Sequence, residues 1–307
     1  MIRSDRITHV LVDGVRYPDA LRRLYARDDL AEIEPLYLMT RFKDLAEQGP
    51  ILVAPRGRGF VDEILAEGDG ERTRAMSLLT ASATTEALGD HLLQFVEAQI
   101  DGTSRLLRFA DPLVLRHWLA SFGDSVPAEV LGPVHAWWVA HWAPALGPPA
   151  EPSWHAVEAS ASQAPEAGRG SPVPVTMGAP QQEALEAVAR WQFKERLSAY
   201  FSRHLGETWA EVPLDRRGDW LEARLDDAQA WGAQTERQFA IWCELALRWG
   251  DAFMVTSDGV YARWVAGDAS RGELSRQQQL YALDDWSRSE AADQQNGNRT
   301  TRTSSHD

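Results

Sequence analysis

The 307-residue sequence predicts two parts: an α/β N-terminal lobe, a mixed sheet with flanking helices, and an all-α C-terminal helical lobe. Three observations carry this. Short apolar runs alternate with amphipathic segments over the first 142 residues, which argues for strands interleaved with helices. Eight of the chain's 16 prolines fall in residues 143–180, where large apolar residues are sparse, so that stretch reads as a linker. From residue 181 the apolar residues recur at helical spacing. The resulting organisation is 1–142 α/β lobe, 143–180 Pro-rich linker, 181–286 helical lobe and 287–307 disordered tail, the last because it carries no large apolar residue.

In chain order, Thr8 to Asp13 is a β-prone run closed by the Asp13-Gly14 turn signal. Pro18 suits a first helical turn, and Leu21, Leu24 and Tyr25 follow at helical spacing. Leu36-Tyr37-Leu38 and Ile51-Leu52-Val53 read as strands, with Phe42, Leu45 and Ala46 as a helix between them. Phe60, Ile64 and Leu65 suggest another helix, and Ala75 to Leu79 another strand. Residues 84–100 read as the clearest helix of this lobe, capped by Thr84. Arg105 to Phe109 reads as a strand, Pro112 opens a helix, and Val134 to Trp142 fits a strand or a short helix, with strand favoured. In the second lobe, Leu185 to Leu205 forms an apolar stripe, and Pro213 precedes a helix with Trp220, Leu221 and Leu225. Thr235 and Gln238 have capping-box spacing ahead of Phe239, Trp242, Cys243, Ala246 and Trp249, and Gly250 is a natural stop. Residues 273–286 add a further helix.

Composition excludes several functions. A net charge of −14 suits neither nucleic acid, where affinity comes from neutralising phosphates, nor an anionic membrane surface. No apolar run approaches a membrane span or a signal-peptide core, so a cytoplasmic location is expected. The single cysteine, Cys243, forms no intramolecular disulfide and reads as a small buried apolar residue. The eight histidines form no metal-binding pattern, and no nucleophile motif is present, so neither an enzyme nor a cofactor or metal is expected. Gly57-Arg58-Gly59-Phe60, ahead of a helix and beside Arg56, is the best anion-site candidate, with Asp13 at a strand end completing an alternative reading as a small-molecule-binding α/β enzyme. All 13 tryptophans lie at 118 or later, and Trp220, Trp231 and Trp242 are spaced by eleven. Trp220, Trp231, Phe239 and Trp242 are therefore the candidate partner-binding residues, as aromatic side chains lining a groove for an amphipathic segment.

Several segments carry a family resemblance. They are Leu11-Val12-Asp13-Gly14-Val15-Arg16-Tyr17-Pro18, Glu34-Pro35-Leu36-Tyr37-Leu38, Gly49-Pro50-Ile51-Leu52-Val53, Ser77-Leu78-Leu79-Thr80 and Arg108-Phe109-Ala110-Asp111-Pro112. In this order, over residues 8–140, the chain resembles the adaptor/chaperone domain that loads toxic effectors onto the type VI secretion spike. Ala230 to Gln238 is similar to the family's Tyr-Gly-x-x-x-Glu region, with Trp231 in place of the tyrosine. The resemblance implies a cytoplasmic bacterial adaptor without catalytic residues. Its partners would be one cognate effector and the spike-tip protein, valine-glycine repeat protein G (VgrG). The long Pro-rich stretch and the segment after Phe253 depart from the family pattern.

Overall fold

The computed structural model describes residues 2–100, 102–158, 175–257 and 259–289. The chain divides into two compact units, Met1–Ala143 with Pro149–Arg190, and Pro144–Pro148 with Trp191–Asp307.

The first unit is built on a six-stranded sheet of β1 (His9–Asp13), β2 (Leu30–Pro35), β3 (Pro50–Pro55), β4 (Met76–Ala81), β7 (Val134–His141) and β8 (Ser153–Glu158). Its order is β2-β3-β1-β4-β7-β8, with every neighbouring pair antiparallel. β1 lies inside the sheet and is buried on both faces, which is why Val10-Leu11-Val12 is an unbroken apolar run. Register assigns the faces. Val10 pairs with Val53 and Leu78, and these pack with Phe60, Val61 and Ile64 of α2 (Gly59–Ala66) and with Leu24 of α1 (Ala20–Tyr25). The alternate residues Leu11, Leu52, Ser77, Leu79 and Trp137 face the other way and are also buried. There Trp137 Nε1 donates to Ser77 Oγ at 2.9 Å, so the indole satisfies its one polar atom inside the core. α3 (Glu71–Ala75) leads into β4. α4 (Thr85–Leu93) packs along β2 and β3, and α5 (Pro112–Ala120) along β7. Phe95 sits 5.2 Å from Trp118 and 6.0 Å from Phe109, edge to face. α6 (Ala128–Leu131) precedes β7. A second sheet, in the order β6-β5-β9, joins β5 (Glu97–Ile100), β6 (Thr103–Leu106) and β9 (Val175–Thr176); β5 and β9 are parallel.

The second unit is helical: the C-terminal part of α7 (Ala179–His204), then α8 (Gly206–Glu211), α9 (Arg217–Trp231), α10 (Glu236–Trp249), α11 (Val260–Ala266) and α12 (Arg276–Ser287). α10 serves two cores. Cys243 joins Phe201, Trp209, Leu221 and Leu225 on one side, and Ile241, Trp242 and Leu245 join Trp264, Leu280 and Leu283 on the other. Glu244 is also buried, and it is neutralised by Arg248 at 2.7 Å and Arg288 at 3.1 Å, with Tyr200 donating from 3.2 Å. The Thr235–Gln238 capping box forms as the sequence spacing predicts. Thr235→Ala should therefore cost about 1 kcal/mol, read as a lower denaturant midpoint with an unchanged slope.

Five sequence expectations are corrected. Leu36-Tyr37-Leu38 is a turn rather than a strand. The preceding strand spans Leu30–Pro35, and the irregularity between Leu30 and Glu32 breaks the alternation that would have revealed it. The helix expected over 84–100 ends at Leu93, although Thr84 caps it as foreseen. Phe95 and Val96 are buried beyond its end, so the helical spacing of apolar residues runs on through a turn into β5. The strand expected at Arg105 to Phe109 instead ends at Leu106, and Arg108 to Asp111 turns into α5. Phe42 to Ala46 forms only a short 3-10 turn. Within the 143–180 stretch read as linker, Ser153–Glu158 forms β8 on the edge of the main sheet. Residues 159–174, and the tail from 290 onward, lie outside the described residues.

Candidate partner-binding site

The richest constellation lies where β1 ends. Asp13 closes the strand and is almost fully buried. Its Oδ1 accepts the backbone N–H groups of Val15 and Arg16, each at 2.9 Å, which fixes the turn after the strand. Both of its oxygens also accept from Arg108 Nη2 at 2.9 Å. Asp111 is fully buried and caps α5, with its Oδ1 accepting from the Leu113 N–H at 2.9 Å and Pro112 in the first turn. The same oxygen accepts from Arg16 Nε at 2.6 Å, while Arg108 Nη2 lies 3.5 Å from Oδ2. Two arginines and two buried carboxylates thus tie the loop after β1 to the start of α5, across 95 residues of sequence.

Burial pushes the Asp13 carboxyl above the usual carboxylate range; Arg108 opposes this and Asp111 reinforces it. Tyr37, buried beside them, is pushed up to about 12 by burial and then by the Asp13 charge. Two glycines let the 46–49 segment cross this end of the sheet. A Cβ on Gly14 would stand 2.3 Å from the Glu47 carbonyl oxygen, and one on Gly49 would stand 2.4 Å from the Tyr37 ring. Gly14→Ala should destabilise the first unit by about 1–3 kcal/mol, because backbone cannot yield as a flexible side chain can. Thermal unfolding followed by circular dichroism measures it.

Above the ion pairs the surface is concave. An open cleft of about 500 Å3 is lined by Val15, Arg16, Glu71, Arg74 and Arg108. Val15 and Arg108 also line an adjoining cavity of about 180 Å3, with Leu45, Leu106 and Phe109 among its walls. The rim is apolar: Val15 is 48 % exposed, Leu45 41 % and Leu106 45 %. Leu38 and Met39, from the loop that carries Leu45, are 54 % and 92 % exposed. Val15, Leu38, Met39 and Leu45 from these loops, with Leu106 at the end of β6, are five of the nine exposed large hydrophobic residues among those described.

The four aromatic residues singled out in the sequence lie elsewhere. Trp242 is buried, with its ring 5.6 Å from Trp231 and 5.0 Å from Phe253. Trp231 is partly buried against the same core. Trp220 and Phe239 are partly buried between the two cores of the helical unit. Trp220 stacks edge-on to Trp209 at 5.7 Å and donates from Nε1 to Asp251 at 2.9 Å. Their ring-to-ring contacts are with one another and with aromatic residues of the two cores. The anion-site residues do not meet Asp13 either. Asp13 pairs with Pro50, so Arg56 to Phe60, which follow Pro55, stand at the opposite end of β1 and β3. Phe60 is in the core, and the Asp29 carboxylate already lies 3.2 Å from where a Gly59 Cβ would be, leaving that helix start facing an anion of the chain itself. Among the described residues, no group of three or more His, Cys, Asp or Glu side chains is placed to hold a metal.

Asp13, Arg16, Arg108 and Asp111 were legible as members of motifs but not as a network. The available signals were a carboxylate closing a strand and an Asp-Pro opening a helix. All four fall within one stretch that matches a family model. Residues 8–126 match the model of a family described as a domain of unknown function, DUF4123. No curated protein and no solved structure matches the chain.

Proposed function

We propose that this chain is a non-catalytic adaptor/chaperone that binds a cognate type VI secretion effector in the cytoplasm and promotes its loading onto the spike-tip protein VgrG. The match of residues 8–126 and the resemblance of residues 8–140 to effector adaptors support the class. The observation that carries the reading is the exposed apolar side chains Val15, Leu45 and Leu106 lining the cavity beside the end of β1, with Leu38 and Met39 exposed on the loop that carries Leu45. An exposed apolar surface of this kind suits a segment of another protein. Covering such a segment on the effector would keep it from aggregating, and the −14 charge would keep the complex in solution. The described residues include no helix long and apolar enough to cross a membrane.

The test is co-purification of the tagged chain from cells that also express the proteins encoded beside it. Recovery of a spike protein together with a toxin-like protein supports the reading. Recovery of neither, with all of them expressed, overturns it. Met39→Asp should leave stability within about 0.5 kcal/mol of the parent and reduce that recovery.

A further inference from the structure

We infer that the cleft beside Val15 recognises one acidic side chain of a partner protein's segment, with a neighbouring apolar side chain of that segment seated in the adjoining cavity. The inference rests on the adaptor reading and specifies the chemistry of what docks. The cleft is lined by Arg16, Arg74 and Arg108, in a chain whose acidic residues outnumber its basic ones 45 to 31; Arg74 is held by Asp69, and the one carboxylate in the wall, Glu71, by Arg23, so Arg16 and Arg108 carry the recognition. Arg16 and Arg108 are held from beneath by Asp111 and Asp13. Those bonds use Nε of Arg16 and Nη2 of Arg108, and the remaining guanidinium nitrogens make no hydrogen bond among the described residues. Both guanidinium groups are therefore pre-oriented, with little side-chain freedom left to lose; Arg16 keeps its Nη1–Nη2 edge, which matches a carboxylate in two parallel bonds, and Arg108 keeps single donors beside it.

The cavity supplies the second half of the recognition. It shares Val15 and Arg108 with the cleft, and Leu45, Leu106 and Phe109 line it, so an aliphatic or aromatic side chain beside the carboxylate would leave water there. Charge narrows the choice further. Each of the two guanidinium groups is already balanced by a buried aspartate, and the chain as a whole repels polyanions. A single carboxylate within an apolar segment fits these constraints; nucleic acid or a polyphosphate does not.

The experiment is selection of random-sequence peptides displayed on phage against the full chain, followed by fluorescence anisotropy with the selected peptide and its Glu→Gln or Asp→Asn counterpart. The expected consensus is an acidic residue next to a large apolar one. The amide counterpart should bind about tenfold more weakly or worse. Arg16→Gln should weaken the acidic peptide to a similar degree. Val15→Asp should do so as well, with an unchanged unfolding curve, because Val15 is half exposed and holds no ion pair; this variant guards against a merely unfolded Arg16→Gln protein. A consensus without an acid, equal binding of the amide, or no enrichment would each overturn the inference. So would concentration-dependent self-association abolished by Val15→Asp, which would make a second copy of the chain the occupant. Recovery of effector and spike protein without peptide enrichment sinks this inference and leaves the adaptor reading standing. Enrichment without their recovery upholds the site and removes the adaptor reading.

Discussion

Replacing Arg108 with alanine lowers the stability of the α/β unit by about 3 kcal/mol, or roughly 6–12 °C in its unfolding midpoint. The cause is Asp13, a nearly buried carboxylate that loses its only cationic partner at hydrogen-bond distance among the described residues. The figure lies at the low end for a broken buried pair, because Asp13 keeps the N–H groups of Val15 and Arg16 and Arg108 is itself partly exposed. The loss depends on pH with a definite sign. The Asp13 pKa is already raised in the folded protein, and removing the opposing guanidinium raises it further. A carboxyl whose folded pKa is raised favours the native state while protonated and loses that contribution as pH rises through the folded value. The variant's deficit should therefore be smaller near pH 5 than near pH 8. Thermal unfolding at both pH values decides it. An equal deficit at the two would mean that Asp13 is not the group responsible.

Trp242→Ala should destabilise the helical unit by about 3–5 kcal/mol, the range for deleting a large buried aromatic side chain. Trp242 is 4 % exposed and touches Trp231 and Phe253, so truncation opens a hole between α10 and its neighbours. Guanidinium denaturation followed by helical circular dichroism measures the loss. At a temperature where the variant remains folded, recovery of protein partners should be unchanged. If stability held while recovery fell, Trp242 would act in the partner groove read from the spacing of Trp220, Trp231 and Trp242.

That contrast shows what was legible in the sequence. Local signals held: Thr84, Asp111-Pro112 and the Thr235–Gln238 pair start helices as expected, because capping is decided within four residues. β1, β3 and β4 were visible because strands buried on both faces are unbroken apolar runs. β2 was not, because an edge strand tolerates Glu32 and Glu34, and β8 was hidden by the prolines around it. A regular spacing of tryptophans marks a repeated packing position as readily as a docking face, and only tertiary contacts distinguish them. The site was legible in its members and illegible in its pairing. Nothing local announces that Arg16 belongs to Asp111 and Arg108 to Asp13, since such bonds form only when the fold brings residue 16 and residue 111 together.

The position of β1 inside the sheet also shapes how the protein is made. β1 is complete at residue 13, yet its partners β3 and β4 end at residues 55 and 81. At about 5–20 residues per second, roughly 3–14 s pass on the ribosome before the strand has both neighbours. Until β3 is made Val10-Leu11-Val12 has no strand to pair with, and until β4 is made one of its two edges stays open. The nascent chain thus carries an apolar strand with an open edge, the kind of surface that aggregates, until the middle of the sheet is synthesised.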